Sequence, residues 1–402
     1  RMSALASVRR KRTAVMLTVN LLAVVALGGF GLAGVRALKR YEGATKVSVE
    51  SKTLPITPVG MLATVDSDDV LTSIAIFVLK AGDQLGGSIV SVPVSSDSTA
   101  GGGEDRVPLT QVYAEGGAEA LVLGVESVLS ITIDVSSVAS AADAEGLLNP
   151  VSPVAAQLPT DVLGTSSAGT VTLFDAGEHD LSAAETAELL TATADGQRDA
   201  DRRGNIEALW SGVAAAVGAG RTTADAAVDG VASIASLGDL MNRLFAAPVE
   251  ARGLPAAPLP AADNPGDKDV EELIRYEAIF VLASVAPASM SAPTTGLMFR
   301  IEAPPGYEER VKFAVAAILV LGANVISVYL GGEVHEATRY YIDDPRLVEE
   351  AESNNALFGD TETLTPELPI EGIDVILQLG TDFLTGEGDE LPTTTTSTTE
   401  PT

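Results

Sequence analysis

The sequence predicts an α/β fold: a larger α/β sandwich and a smaller C-terminal α/β domain, placed behind a single N-terminal transmembrane helix. Three observations predict it. Short β-rich runs alternate with stretches of helical apolar spacing, the pattern of sheets covered by helices. A Pro/Ala-rich stretch at 251–268 cuts that pattern in two. An uncharged run of 23 residues, Thr13 to Val35, stands directly behind the basic cluster Arg9-Arg10-Lys11-Arg12.

The N-terminal run makes a helix of about 34 Å, enough to cross a hydrocarbon core of about 30 Å with some tilt. Eight Lys or Arg and no acid lie in residues 1–40, five of them ahead of the run. The positive-inside rule therefore keeps residues 1–12 cytoplasmic and exports the chain beyond the helix. A cleaved signal peptide is the rival reading, though the run exceeds the usual h-region. Gly29-Phe30-Gly31-Leu32-Ala33-Gly34 spells GxGxxG, but no strand, helix and acidic partner surround it, so the glycines suit close helix approach in a bilayer instead.

Beyond residue 40 the sequence holds 17 basic and 55 acidic residues, a formal charge near −38. That field repels nucleic acid and other polyanions. There is no cysteine, which removes disulfides, Cys-based zinc sites and Cys nucleophiles together. Only two histidines occur, His179 and His335, neither in a nucleophile-elbow context, so Ser-His-Asp hydrolysis is disfavoured.

In the first part, expected at 50–250, Ser73–Leu79 and Ser88–Val94 form a strand pair around the turn-rich 81–87. Val112–Leu129 comes next as a helix leading into a strand at Ile131–Val135, and 95–105 is a Gly-rich loop. Val171–Phe174 is a short strand. Ser182 with Glu185 three residues on is a capping box opening a helix. Asn205–Val217 and Ala224–Ala246 are further amphipathic helices.

The second part, 269–385, contains helices at Val270–Val285, Tyr307–Leu321 and Pro345–Leu357. Its strands fall at Gly296–Glu302, Val325–Tyr329, Thr338–Ile342 and Ile373–Leu379. The apolar stretch Val311–Leu321 is too short to span a membrane and is a core helix. A Thr-rich tail occupies 386–402.

Several strings carry a resemblance to a family. Val107-Pro108-Leu109-Thr110-Gln111-Val112-Tyr113-Ala114-Glu115-Gly116-Gly117 is similar to a family string in which Lys-Ile-Asn, a Tyr between small residues and Gly-Gly open a helix. Val128-Leu129-Ser130-Ile131-Thr132-Ile133-Asp134 and Ile373-Asp374-Val375-Ile376-Leu377-Gln378-Leu379-Gly380-Thr381-Asp382-Phe383 match two more, the last being the most specific. Together they resemble the LytR-CpsA-Psr (LCP) envelope proteins, with a LytR-type C-terminal domain.

That resemblance implies one transmembrane helix and an extracytoplasmic domain that moves a glycopolymer from a polyprenyl pyrophosphate carrier to the cell wall. The pyrophosphate is held by arginines, Asp and Mg²⁺. A buried pyrophosphate requires such guanidinium forks or a divalent cation to offset its desolvation.

The departures fall on these groups. The family's Ser-Ile-Pro-Arg-Asp stands here as Ser91-Val92-Pro93-Val94-Ser95, and Tyr-Ala-Arg-x-Arg as Thr191-Ala192-Thr193-Ala194-Asp195. Its Asp-x-x-Arg-x-x-Arg-Gln keeps Asp199 and Arg202 but has Asn205 and Ile206 at the end, and Leu71-Thr72-Ser73 replaces a leading Asp-Thr. Val94, Ser95, Thr193, Asp195 and Asn205 are thus degenerate positions.

The expected function is a membrane-anchored binding or scaffold protein in cell-wall assembly, a degenerate pseudoenzyme. Its partners would be a glycopolymer, a polyprenyl lipid or another envelope protein. The alternative is a divergent phosphotransferase in which Arg198, Arg202 and Arg203 hold phosphate and Asp199 binds Mg²⁺. A third reading makes the acidic domains and Thr-rich tail a spacer or interaction module.

Overall fold

The computed structural model describes residues 51–386 apart from 83, 100–105, 220–233, 294, 354 and 360. The expected membrane anchor at 13–35, the basic segment before it and nearly all of the Thr-rich tail lie outside the described residues. Among the described residues, no helix is long and apolar enough to cross a membrane.

The chain first lays down β1 (Val59–Val65), β2 (Leu71–Leu79), β3 (Gly87–Val92) and the helix α1 (Leu109–Leu129). Next come β4 (Val135–Ala139), α2 (Ala141–Leu148), and β5 (Val154–Leu158), β6 (Val162–Ser166), β7 (Gly169–Phe174) and β8 (Gly177–Leu181). Three helices succeed them, α3 (Ala183–Thr191), α4 (Asp199–Gly218) and α5 (Leu237–Leu244), then β9 (Val249–Gly253), β10 (Ala256–Pro258) and β11 (Glu271–Leu273). The rest is α6 (Arg275–Val285), β12 (Met298–Glu302), α7 (Glu308–Val320), β13 (Asn324–Tyr329), β14 (Arg339–Ile342), α8 (Val348–Glu352), α9 (Asn355–Phe358), β15 (Glu362–Leu364), β16 (Val375–Gln378) and α10 (Thr381–Leu384).

Two five-stranded sheets organise these elements. The first runs β4-β1-β2-β3-β9 and the second β13-β12-β16-β14-β15. In the first, β2 pairs antiparallel with both β1 and β3, while β4 and β9 join the edges in parallel. Alternation splits its side chains between two cores, since successive residues of a strand face opposite sides. Ile74, Ile76 and Val78 enter one core with α1, α6 and α7, and Ala75, Phe77 and Leu79 enter the other with α2 to α5. A sheet covered on both faces leaves no polar side, and β1, VGMLATV, is buried at every position.

The core beneath α1 continues without a break into the second half of the chain, where Phe280, Phe299, Val315 and Leu377 belong to the same cluster as Met61 and Ile76. Residues 251–268, expected as an extended linker, contribute two strands: β9 pairs with β3, and β10 pairs with β11.

Most predicted elements stand within a few residues of their expected bounds, and the exceptions have local causes. The strand expected at Ile131–Val135 forms at 135–139 instead. Asp134 holds Val59 from both sides, its N–H donating to the Val59 carbonyl (2.9 Å) and its Oδ2 accepting from the Val59 N–H (2.8 Å). Thr132 is meanwhile bonded to Ser289. The helix expected from Val270 starts at Arg275, because the backbone of Glu271 is taken up by Ser95 and Asp97. Pro345–Leu357 is a 3-10 turn and two short helices rather than one helix. Of Ala224–Ala246, residues 237–244 form α5, and 224–233 lie outside the described residues.

The capping box at Ser182 forms as expected: its hydroxyl accepts from the Glu185 N–H while Glu185 Oε2 accepts from the Ser182 N–H. The Gly116-Gly117 pair lies within α1 rather than at its opening, and Gly117 breaks the helical geometry there with φ 67°. Such a conformation is open to glycine at little steric cost.

Candidate functional site: a charge cluster neutralised from within

Three segments converge on the predicted site. The end of β3 runs through Pro93 into Ser95, α4 begins at Asp199, and the strand β11 is laid beside residues 95–97 in parallel. Glu271 N–H donates to the Ser95 carbonyl (2.9 Å), and Asp97 N–H donates to the Glu271 carbonyl (2.8 Å). Residues about 170 positions apart are thereby held side by side.

The polar core of the site is Ser95, Asp199, Arg203 and Glu271. Ser95 Oγ, 1% exposed, lies 3.0 Å from Asp199 Oδ2 and 2.7 Å from Glu271 Oε2. Arg203 Nη2 donates to both carboxylates, at 3.3 Å to Asp199 and in a close ion pair with Glu271. One turn of helix brings Asp199 and Arg203 to the same face, as i,i+4 spacing dictates. The N–H of Asp199, an orphan donor of the first turn of α4, is accepted by Asp269 Oδ2 at 2.9 Å. The helix end that would attract a phosphate already carries a carboxylate of the chain itself.

The three candidate arginines face three environments. Arg198 is half exposed and pairs with the exposed Asp267 at 2.7 Å. Arg203 pairs with Asp199 and Glu271 through Nη2, while its Nε is buried with no hydrogen-bond partner among the described residues. Arg202 is 8% exposed and donates through Nη1 to the Thr72 carbonyl (3.1 Å), beside the buried hydroxyls of Thr64, Thr72 and Ser73. Its Nη2 is buried with no hydrogen-bond partner among the described residues, and Arg202 lines a cavity of about 10 Å³, roughly the room of one water. Burial pushes the Arg202 guanidinium below its ordinary pKa, against the pull of Asp199, Asp66 and Asp269.

The degenerate positions do not share one cleft. Val94 is 3% exposed in the core with Leu109 and Tyr113 of α1. Thr193 and Asp195 both receive the hydroxyl of the exposed Thr165, at 3.3 and 3.4 Å. Asn205 is buried and bonded to Thr160, its Nδ2 donating to Oγ1 and its Oδ1 accepting from the backbone N–H. The two histidines stand apart: His179 Nε2 lies 2.7 Å from the Asp175 carbonyl, and His335 Nδ1 lies 3.2 Å from Arg339 Nη1.

The carboxylates that neutralise the site went unmarked in the sequence. Asp267, Asp269 and Glu271 alternate along one segment and meet Arg198, the start of α4 and Arg203 in turn. Period-2 acids beside a Pro-rich stretch were the available signal. Glu207 joins them from α4, and β9 passes it at a glycine: a Cβ on Gly253 would fall 2.0 Å from Glu207 Oε1.

Burial raises the pKa of Glu207 despite the nearby Arg203, with Asp199 adding to the rise. Burial also raises that of Asp269, against its hydrogen bond from the Asp199 N–H and with Asp199 and Glu271 adding to the rise.

A carboxyl with a raised folded-state pKa holds its proton more tightly when folded, so its contribution to stability falls as pH rises from the ordinary carboxylate range through the raised value. Asp269→Asn, which still accepts the Asp199 N–H, is therefore expected to raise Tm at pH 7. That gain should vanish as the pH is lowered through about 4. Calorimetric scans of both proteins across that range check it, and a gain independent of pH would count against the assignment.

Magnesium does not fit the residues present. Asp199 Oδ2 is occupied by a hydroxyl and a guanidinium. Among the described residues no three His, Asp or Glu side chains converge as a metal site.

No protein-family model matches the sequence, and no curated protein matches it significantly. In structure the chain is similar to a LytR-Csp2A-Psr enzyme from Actinomyces oris, with TM-score 0.40 and 16% identity over 62% of this chain and 98% of that one. It is similar to a TagT bound to LIIa-WTA, with TM-score 0.40 and 17% identity over 59% and 94%. It is also similar to B. subtilis TagT, with TM-score 0.36 and 18% identity over 60% and 92%.

Proposed function

We propose that the chain is a membrane-anchored, extracytoplasmic protein of the cell envelope, of LCP type, that serves cell-wall assembly by binding or scaffolding rather than by transferring phosphate. The observation that carries this reading is the internal neutralisation of the site. Arg203 and the first turn of α4 are the groups best suited to a pyrophosphate, and Glu271 and Asp269 already occupy them. A pyrophosphate entering there would displace two carboxylates and meet a third, Asp199, in a protein of formal charge −30. The departures at Val94, Ser95, Thr193, Asp195 and Asn205 support the same reading, because none of these side chains supplies a positive charge.

The phosphotransferase reading draws on Arg202 Nη2 and Arg203 Nε, both buried with no hydrogen-bond partner among the described residues. The divergence of Arg198, Arg202 and Arg203 and the engaged carboxylate of Asp199 count against it. Hydrolysis of geranyl pyrophosphate with Mg²⁺ decides between them. No release of phosphate above the buffer rate is expected, and turnover that disappears in Arg202→Ala would overturn the non-catalytic reading. Protease accessibility in intact cells tests the topology: the chain beyond residue 50 is expected to be cut from outside.

A further inference from the structure

Beside the neutralised cluster, and sharing Arg198, Asp269 and Glu271 with it, lies an open groove of about 560 Å³. Its lining combines Pro258, Leu259, Pro265 and Val270 with the acids Asp267, Asp269 and Glu271 and the cation Arg198. Charge is unevenly satisfied there. Asp267 pairs with Arg198 and Glu271 with Arg203, whereas Asp269 makes no ion pair among the described residues and accepts only a backbone N–H. Arg198 acts on Asp269 through space but is paired with Asp267, so a half-buried carboxylate with no direct ion pair is left to attract a cation from outside. The backbone beside it is also incomplete. The strand β10 pairs on one side with β11, and its other edge carries no strand among the described residues. Free strand edges take up extended peptide by adding a strand, with side chains at alternate positions supplying specificity.

We propose that this groove docks an extended, lysine-bearing peptide segment of a partner protein. The segment adds to the edge of β10, its aliphatic stems lie against Pro258, Leu259 and Val270, and one ammonium pairs with Asp269. A long basic side chain suits such a lining, because its methylene stem covers apolar surface while its head reaches the charge. The proposal rests on the binding role of the chain only in supplying it with a partner. Pyrophosphatase activity would overturn that role, whereas loss of Asp269-dependent peptide binding would overturn the groove assignment alone.

The test uses fluorescein-labelled tetralysine and the full chain, followed by anisotropy at about 0.15 M salt to screen long-range attraction. Asp269→Asn is expected to bind about tenfold more weakly than the parent, and Asp180→Asn, the same charge removed from the exposed face of β8, by less than about twofold. Equal weakening in both variants overturns the proposal, since it marks attraction to the net charge alone. Undiminished binding of the Nε-acetylated peptide overturns the role of the ammonium. Equal, Asp269-dependent binding of spermine, which has no backbone to add to β10, overturns the choice of a peptide.

Discussion

Arg203→Met is expected to lower the free energy of unfolding by about 3–5 kcal/mol, the usual cost of removing one partner from a buried charge pair. Arg203 and Glu271 have side chains only 17% and 9% exposed, so little solvent screening reduces the effect. Losing the guanidinium leaves Asp199 and Glu271 sharing the hydroxyl of Ser95 with no cation between them. Two like charges sharing one hydroxyl repel, which adds to the penalty.

The double variant Arg203→Met/Glu271→Gln is expected to recover much of the loss, because the unpaired acid is gone. Urea denaturation of the parent, both single variants and the double variant measures the coupling. A loss below about 1 kcal/mol for Arg203→Met would place the pair among those that contribute little.

Trp210→Ala carries the second large effect, about 3–5 kcal/mol. Trp210 is 1% exposed and meets Phe77 edge to face, with ring centroids 5.5 Å apart, where α4 covers the first sheet. Leu190, Leu209 and Phe245 share that core, so the space left by the indole has no ready way to collapse. The indole Nε1 is buried with no hydrogen-bond partner among the described residues, and hence Trp210→Phe is expected to cost under about 1.5 kcal/mol. Thermal melts of the two variants separate volume from polarity. Comparable losses for Phe and Ala would contradict this ordering.

How far the sequence carries the fold can be judged element by element. The Ser182–Glu185 box and the turn between β2 and β3 are local chemistry, complete within a few residues, and both were readable. Strand β1 was not, because a strand buried on both faces shows no alternation. The box at Ser140–Asp143 was equally local and was overlooked.

The site divides the same way. The replacements at Val94, Ser95, Thr193, Asp195 and Asn205 are visible in one dimension as departures from a pattern. Their scatter over separate surroundings is a property of the folded chain. The alternative in which Asp199 holds Mg²⁺ and the arginines gather around phosphate must compete with Glu271, a partner 72 positions beyond Asp199 in the chain. Glu271 reaches Arg203 only because β11 lies against residues 95–97. Local periodicity has no access to such pairing.

The contact between Arg203 and Glu271 also constrains how genes of this kind can recombine. The cation is encoded before the Pro-rich stretch and one of its counter-ions after it, so a crossover between residues 203 and 271 that brings in a C-terminal half without an acid at 271 leaves a buried guanidinium with Asp199 alone. A chimera joined at residue 260 is viable when that acid travels with the incoming half. The ion pair ties the two sides of the boundary that the composition suggests.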